Sequence, residues 1–191
     1  GTLQDMGPHI LDMIVNLTGP VEKLCAQQQI LYPERPAGDG SEKPVTADDH
    51  TTILMKMKNG ATGVVEASKI CTGVDDELRF EIHGTKGAIR FNLMQPNTLW
   101  FYDASVPEGR YGGDRGYTAI ECTGRYGSPA GLPSPKNAIG WLRAHCHSIY
   151  TFVDHVYNGC PGAPSFEEGA YIQLLMERAK ESAGKMQWVE V

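Results

Sequence analysis

The chain has 191 residues, 41% hydrophobic and 21% charged, with a mean hydropathy of −0.32. That is enough to bury a full core and is ordinary for a soluble globular protein. A net charge of −6 with no basic run argues against nucleic acid or an anionic membrane surface as partner. No apolar run approaches the ~20 residues that span a bilayer. The five cysteines, Cys25, Cys71, Cys122, Cys146 and Cys160, are odd in number, scattered and without a C-x-x-C. They argue against a disulfide framework or a zinc site and fit the reduced thiols of a cytoplasmic protein.

Residues 1–4 run into the first helix with no preceding element, as expected of a segment from within a larger protein. The stretch 5–17 is expected to form one short helix, with Pro8 in its first turn and Gly19-Pro20 as its stop. Met6, Ile10, Met13, Ile14 and Leu17 make an apolar stripe at spacings of three and four. Asp5, His9, Asp12 and Asn16 make a second, polar stripe, with successive members about 5–6 Å apart. A carboxylate beside an imidazole orients it and biases its protonation, which suits proton transfer near neutral pH. The same spacing also fits a solvated helix face with an ordinary Asp–His pair.

A strand is expected over residues 21–31, then a Pro/Gly-punctuated loop over 32–48. From Asp49, Ile53, Met55 and Met57 alternate with Thr52, Leu54 and Lys56, and Asn59-Gly60 turns the chain into a return strand over 62–69. A second hairpin follows: Leu78, Phe80 and Ile82, a turn at 84–87, then Ile89, Phe91 and Leu93. A further strand is expected at 98–102, so that the strands form an open meander.

Residues 104–140 are Gly/Pro-rich, with Gly127, Pro129, Gly131 and Pro133 among the breakers and a short strand near 117–121. A loop this long is usually functional or disordered. Its three tyrosines (Tyr111, Tyr117, Tyr126) and three arginines (Arg110, Arg115, Arg125) would cover either a polyhydroxylated ligand or a neighbouring subunit. A helix over 141–158 carries Leu142, Ile149, Phe152, Val153 and Val156 on one face. Ser165 and Glu168 form a capping-box signature for a helix reaching Gly184, before a short final strand. The order predicts a single α+β domain over 1–191: an open, mostly antiparallel β-sheet with helices packed on one face.

At this point several motifs together resemble the second domain of the Gfo/Idh/MocA oxidoreductases. They are Asp5-x-Gly7-x-His9-x-x-Asp12 with Leu17-x-Gly19, Lys58-Asn59-Gly60-Ala61 leading to Glu66-Ala67-Ser68-Lys69, Glu81 to Ala88, and Pro164 to Ala170. The likeness runs in order along nearly the whole chain. It implies the C-terminal, glyceraldehyde-3-phosphate-dehydrogenase-like domain of an enzyme that uses NAD or NADP on sugars or cyclic polyols. Carried onto this sequence, it makes His9 the proton-transfer residue, Asp5 its companion beside the nicotinamide, and Asp12 a substrate-facing aspartate. It also implies a homo-oligomer, dimer or tetramer, formed through the open sheet face.

The chain departs from the family in lacking a G-x-G-x-x-G after a strand. The family's Glu-Lys-Pro occurs as Glu42-Lys43-Pro44, but after the helix that carries His9, and is read as coincidence. The Rossmann domain is therefore expected to be absent from this chain, which is expected to be inactive without it.

Lys69, at a strand end, and His145 are further candidate substrate contacts, and Tyr150 is as suited to packing as to binding. His145 and His147 lie two apart on a helix and so cannot both face one ion, and no metal site is expected. Two other classes stay open. One is a metal-assisted hydrolase or isomerase using Asp5, His9 and Asp12. The other is a stand-alone dimerisation module.

Overall fold

A computed structural model describes residues 1–125 and 134–191. Tyr126, Gly127, Pro129, Gly131 and Pro133 of the Gly/Pro-rich loop lie outside the described residues. Contacts group the chain into two compact units, Gly1–Gly73 with Ala163–Val191, and Val74–Gly162.

The first unit opens with two helices where one was expected: α1 (Thr2–Asp5) and α2 (Gly7–Thr18), separated at Met6. The reason is local. Pro8 has no N–H to continue the α1 ladder, so the helix breaks and restarts with Pro8 in its first turn. Then β1 (Val21–Gln29) pairs antiparallel with β4 (His50–Met57), which pairs with β5 (Thr62–Ser68).

Between β1 and β4 the expected loop contains a two-stranded ribbon, β2 (Glu34–Pro36) and β3 (Glu42–Pro44). Three-residue strands ending in proline carry no apolar alternation, so pattern alone misses them. Glu42-Lys43-Pro44, expected within a loop, is thus one side of a hairpin.

The second unit is a four-stranded meander: β6 (Arg79–His83), β7 (Gly87–Asn92), β8 (Thr98–Asp103) and β9 (Tyr117–Glu121). The short strand expected inside the long loop is therefore present. The strands do not make one continuous meander, because β5 and β6 do not pair. A Cβ at Gly87 would collide with the Tyr102 carbonyl, so glycine lets β7 and β8 close up. Phe80 and Phe91 pair across strands at 5.5 Å, and the Arg90 guanidinium lies 4.0 Å from the Tyr117 ring centre. This unit also holds α3 (Trp141–Asn158), which Gly159 ends at φ 63° and none of whose residues is buried.

Back in the first unit, α4 (Phe166–Lys185) starts at the predicted capping box, with Ser165 Oγ accepting from Glu168 N at 3.2 Å. β10 (Val189–Glu190) completes the sheet in the order β10-β1-β4-β5. Along β4, Thr51, Ile53, Met55 and Met57 are buried, as the alternation predicts. Ile53, Met55 and Met57 pack with Leu24, Val65, Leu11 of α2, and Ile172, Leu175, Met176 and Ala179 of α4. Both helices therefore cover one sheet face, while Leu54 and Val64 on the other stay 44% and 68% exposed.

Ser182 is the polar rivet of this core. Fully buried, its Oγ accepts from Ala26 N at 2.8 Å and donates to the Gln187 carbonyl at 2.6 Å. Ser182→Ala leaves a buried donor and acceptor unpaired, at a cost of about 1–3 kcal/mol. Urea unfolding should show that loss, with an unchanged midpoint counting against the rivet.

Candidate functional site

The site is built around the adjacent acids Asp48 and Asp49, which enter β4. The Asp48 carbonyl accepts from Thr2 N at 2.8 Å and Thr2 Oγ1 at 3.0 Å. Its carboxylate accepts from Leu3 N and Thr51 Oγ1, both at 2.8 Å. Free N–H groups at the start of α1 are thereby satisfied from another segment. The Asp49 carboxylate takes the N–H groups of Leu31 and Tyr32 at 2.9 and 3.1 Å, and the Arg35 guanidinium at 2.6 Å. Its carbonyl accepts from Lys69 N at 3.0 Å.

This scaffold sets the predicted residues. Asp5 ends α1 and is exposed, His9 is exposed in the first turn of α2, and Asp12 is half-buried one turn later. Lys69, just past β5, forms an ion pair through its Nζ with Asp5 Oδ2. That ammonium, first by hydrogen bond and then by charge, holds the Asp5 carboxyl below its ordinary value of 3.8. Desolvation opposes this, and the charges of His9 and the amino group of Gly1 add smaller pulls. Asp5 is thus hydrogen-bonded to Lys69 and coupled to His9 through charge.

Asp12 lines a groove of about 450 Å³ between α2 and α4, with Val15, Asn16 and Pro20 on one side and Glu167, Glu168, Tyr171 and Ile172 on the other. Tyr171 Oη is spoken for, accepting from Val21 N at 2.9 Å. Glu167 is held below its ordinary value by its own backbone N–H and the Ser165 hydroxyl. Carboxylates and an amide along a shallow cleft suit hydroxyl-bearing ligands.

Asp5, His9, Asp12 and Lys69 belong to the first unit, whereas His145 belongs to the second. His145 is exposed on α3, its ring 6.4 Å from that of Trp141. Of the long-loop residues, Arg115 pairs with Glu108 at 3.6 Å, and Arg125 Nε donates to the Glu121 carbonyl at 2.8 Å. Tyr111 is 93% exposed.

Sequence reasoning missed Asp48, Thr51 and Ser182 and took Asp49 only as a strand start. The paired acids ahead of the first strong strand were the one available signal. Among the described residues no three His, Cys, Asp or Glu side chains are grouped as metal ligands. The described strands pair antiparallel throughout, so they form no parallel βαβ cradle for a dinucleotide. Among the described residues no helix is long and apolar enough to cross a membrane.

Residues 1–90 match the family model described as GFO/IDH/MocA C-terminal domain. Levoglucosan dehydrogenase of Pseudarthrobacter phenanthrenivorans is 31% identical over 205 residues, covering 100% of this chain and 52% of the relative. D-apiose dehydrogenase of Rhizobium rhizogenes is 26% identical, covering 99% and 48%. Among solved structures, an oxidoreductase domain protein from Kribbella flavida superposes with a TM-score of 0.90 at 30% identity, over 100% of this chain and 50% of that one. Levoglucosan dehydrogenase in complex with NADH and levoglucosan gives a TM-score of 0.89 at 31% identity, with the same coverage. The chain spans about half the length of the curated relatives it matches.

The Asp49 anchor makes a pH prediction. The N–H groups of Tyr32 and Leu31 and the Arg35 guanidinium hold its carboxyl below the ordinary 3.8. Its contribution is therefore complete above about that value and fades as pH falls through the lowered folded value. Asp49→Asn should melt below the parent at neutral pH, with the gap narrowing as pH falls below the ordinary 3.8. A gap that stays constant over that range would refute the anchor's ionic character.

Proposed function

The chain belongs to the GFO/IDH/MocA family, matching its C-terminal domain, and from that premise we propose that it is the substrate-binding, histidine-bearing half of an NAD(P)-dependent dehydrogenase. The substrate class is a sugar or cyclic polyol. Relatives named for levoglucosan and D-apiose, one solved with NADH, support that class and that cofactor. The observation that carries the proposal is the run of Asp5, His9 and Asp12 along α1 and α2, with Lys69 beside Asp5.

Oxidising a secondary alcohol requires the hydroxyl proton to leave as the carbon gives up hydride, so a base must stand within hydrogen-bond reach of that oxygen. His9, exposed at the start of α2, takes the proton on a ring nitrogen in this reading. Asp12 accepts a hydrogen bond from a second substrate hydroxyl, orienting the ring so that one carbon is presented. NAD(P), when bound, supplies the hydride acceptor. Its pyrophosphate and ribose holders belong to a Rossmann domain outside the described residues.

Association of copies into a dimer or tetramer through the open sheet face belongs to the same proposal. Leu54 and Val64, exposed on that face, support it.

In the full-length protein, His9→Ala should lower kcat with a sugar or polyol substrate by about 10²-fold or more, with the melting temperature unchanged. Turnover equal to the parent's would end the assignment.

A further inference from the structure

The second unit has a cavity of its own, about 210 Å³, on the polar face of its meander. Side chains alternate between the two faces of a strand, and the register shows which ones share this face. Arg79 pairs with Asn92, Glu81 with Arg90, and Arg90 in turn with Trp100. Thr98, two positions before Trp100, joins them, and Gln95 lines the cavity from the turn between β7 and β8.

The walls are electrically balanced. Arg90 Nε lies 3.3 Å from Glu81 Oε2, and its guanidinium sits over the Tyr117 ring. Arg79 Nε lies 3.8 Å from Glu77 Oε2. Each cation already faces a carboxylate, so little surplus charge is left to select an anion. Asn92 is committed too, donating to Glu77 at 2.5 Å and accepting from Met94 N at 2.8 Å. Among the described residues, the groups left open to a ligand are the Gln95 amide, the Thr98 hydroxyl, the outer N–H groups of Arg79 and the Trp100 indole, 41% exposed.

An exposed indole ringed by donors and acceptors suits a sugar. The C–H groups on one face of a pyranose carry partial positive charge and meet the negative face of an aromatic ring. Its rim of hydroxyls both donates and accepts, which an amide and a hydroxyl can answer together. The volume sets the size. Drug-sized ligands fill ~300 Å³ or more, so about 210 Å³ holds one ring.

We propose that Trp100, Gln95, Thr98 and Arg79 form a carbohydrate-binding subsite for a single neutral monosaccharide unit, with Trp100 as the stacking platform. It uses no residue of the first unit, and so does not rest on His9 or on the dehydrogenase reading.

The test is fluorine NMR of the full-length protein labelled with fluorotryptophan and titrated with methyl β-D-glucopyranoside. The Trp100 signal is identified by its loss in Trp100→Phe, or in Trp100→Tyr should the first not fold. That signal should shift saturably, with a Kd of about 1–10 mM for so small a ligand. Gln95→Ala and Thr98→Val should each weaken binding about threefold or more, whereas Asp12→Ala should leave it unchanged. A Trp100 signal that stays put well above that concentration overturns the proposal, as does an unaltered Kd in both Gln95→Ala and Thr98→Val. A shift produced by sodium sulfate in place of the glycoside would make this an anion site and overturn it too. Loss of the shift in Asp12→Ala would tie the sugar to the α2–α4 groove and likewise overturn a separate subsite. None of these signals depends on turnover.

Discussion

Two consecutive carboxylates, Asp48 and Asp49, constrain everything else in the candidate site. One backbone step separates them, yet their bonds run to different places: the amino end of α1, the loop after β1, and the strand end at Lys69. Asp49 is nearly fully buried, and the Asp48 carboxylate is only 11% exposed. Buried carboxylates persist only when their lone pairs are matched by donors. Here backbone N–H groups share the matching with Thr51 and Arg35, so each acid also fixes the path of a segment. The Asp5–Lys69 pair inherits its geometry from that arrangement.

The hydrophobic core gives this polar junction a rigid base. Inward residues of β1, β4 and β5 meet α2 and α4 in one cluster, and Ser182 satisfies a strand N–H inside it. Because Leu11 is anchored in that cluster, α2 is held in one rotational setting. Its polar stripe is then turned outward, with Asp12 at the groove against α4 and His9 exposed. The proton-transfer role proposed for His9 needs such a setting, since displacement by an ångström is costly to catalysis. The second unit is organised differently: its sheet rests on cross-strand aromatic and arginine pairs, and its helix α3 buries no residue.

Much of this was legible in the chain itself. Alternation in β4, the capping box of α4, the αL glycine after α3 and the spacing of Asp5, His9 and Asp12 are all short-range features. A few residues settle them. The ribbon 34–44 and the break at Met6 were not legible, the first for want of an apolar pattern. The second was implicit in Pro8, but a single amphipathic stripe across positions 5–17 obscured it.

By itself, the sequence determined the α+β class, the antiparallel hairpins, the family likeness and the identity of the residues on the polar stripe. Only the tertiary structure decided that Asp5 bonds to Lys69, 64 positions away in the sequence. It also decided that Asp12 faces α4, and that Asp48 and Asp49 hold the parts together. The physical reason is that hydrogen-bonded pairing between distant segments depends on where folding brings their backbones, and residue spacing carries no record of that.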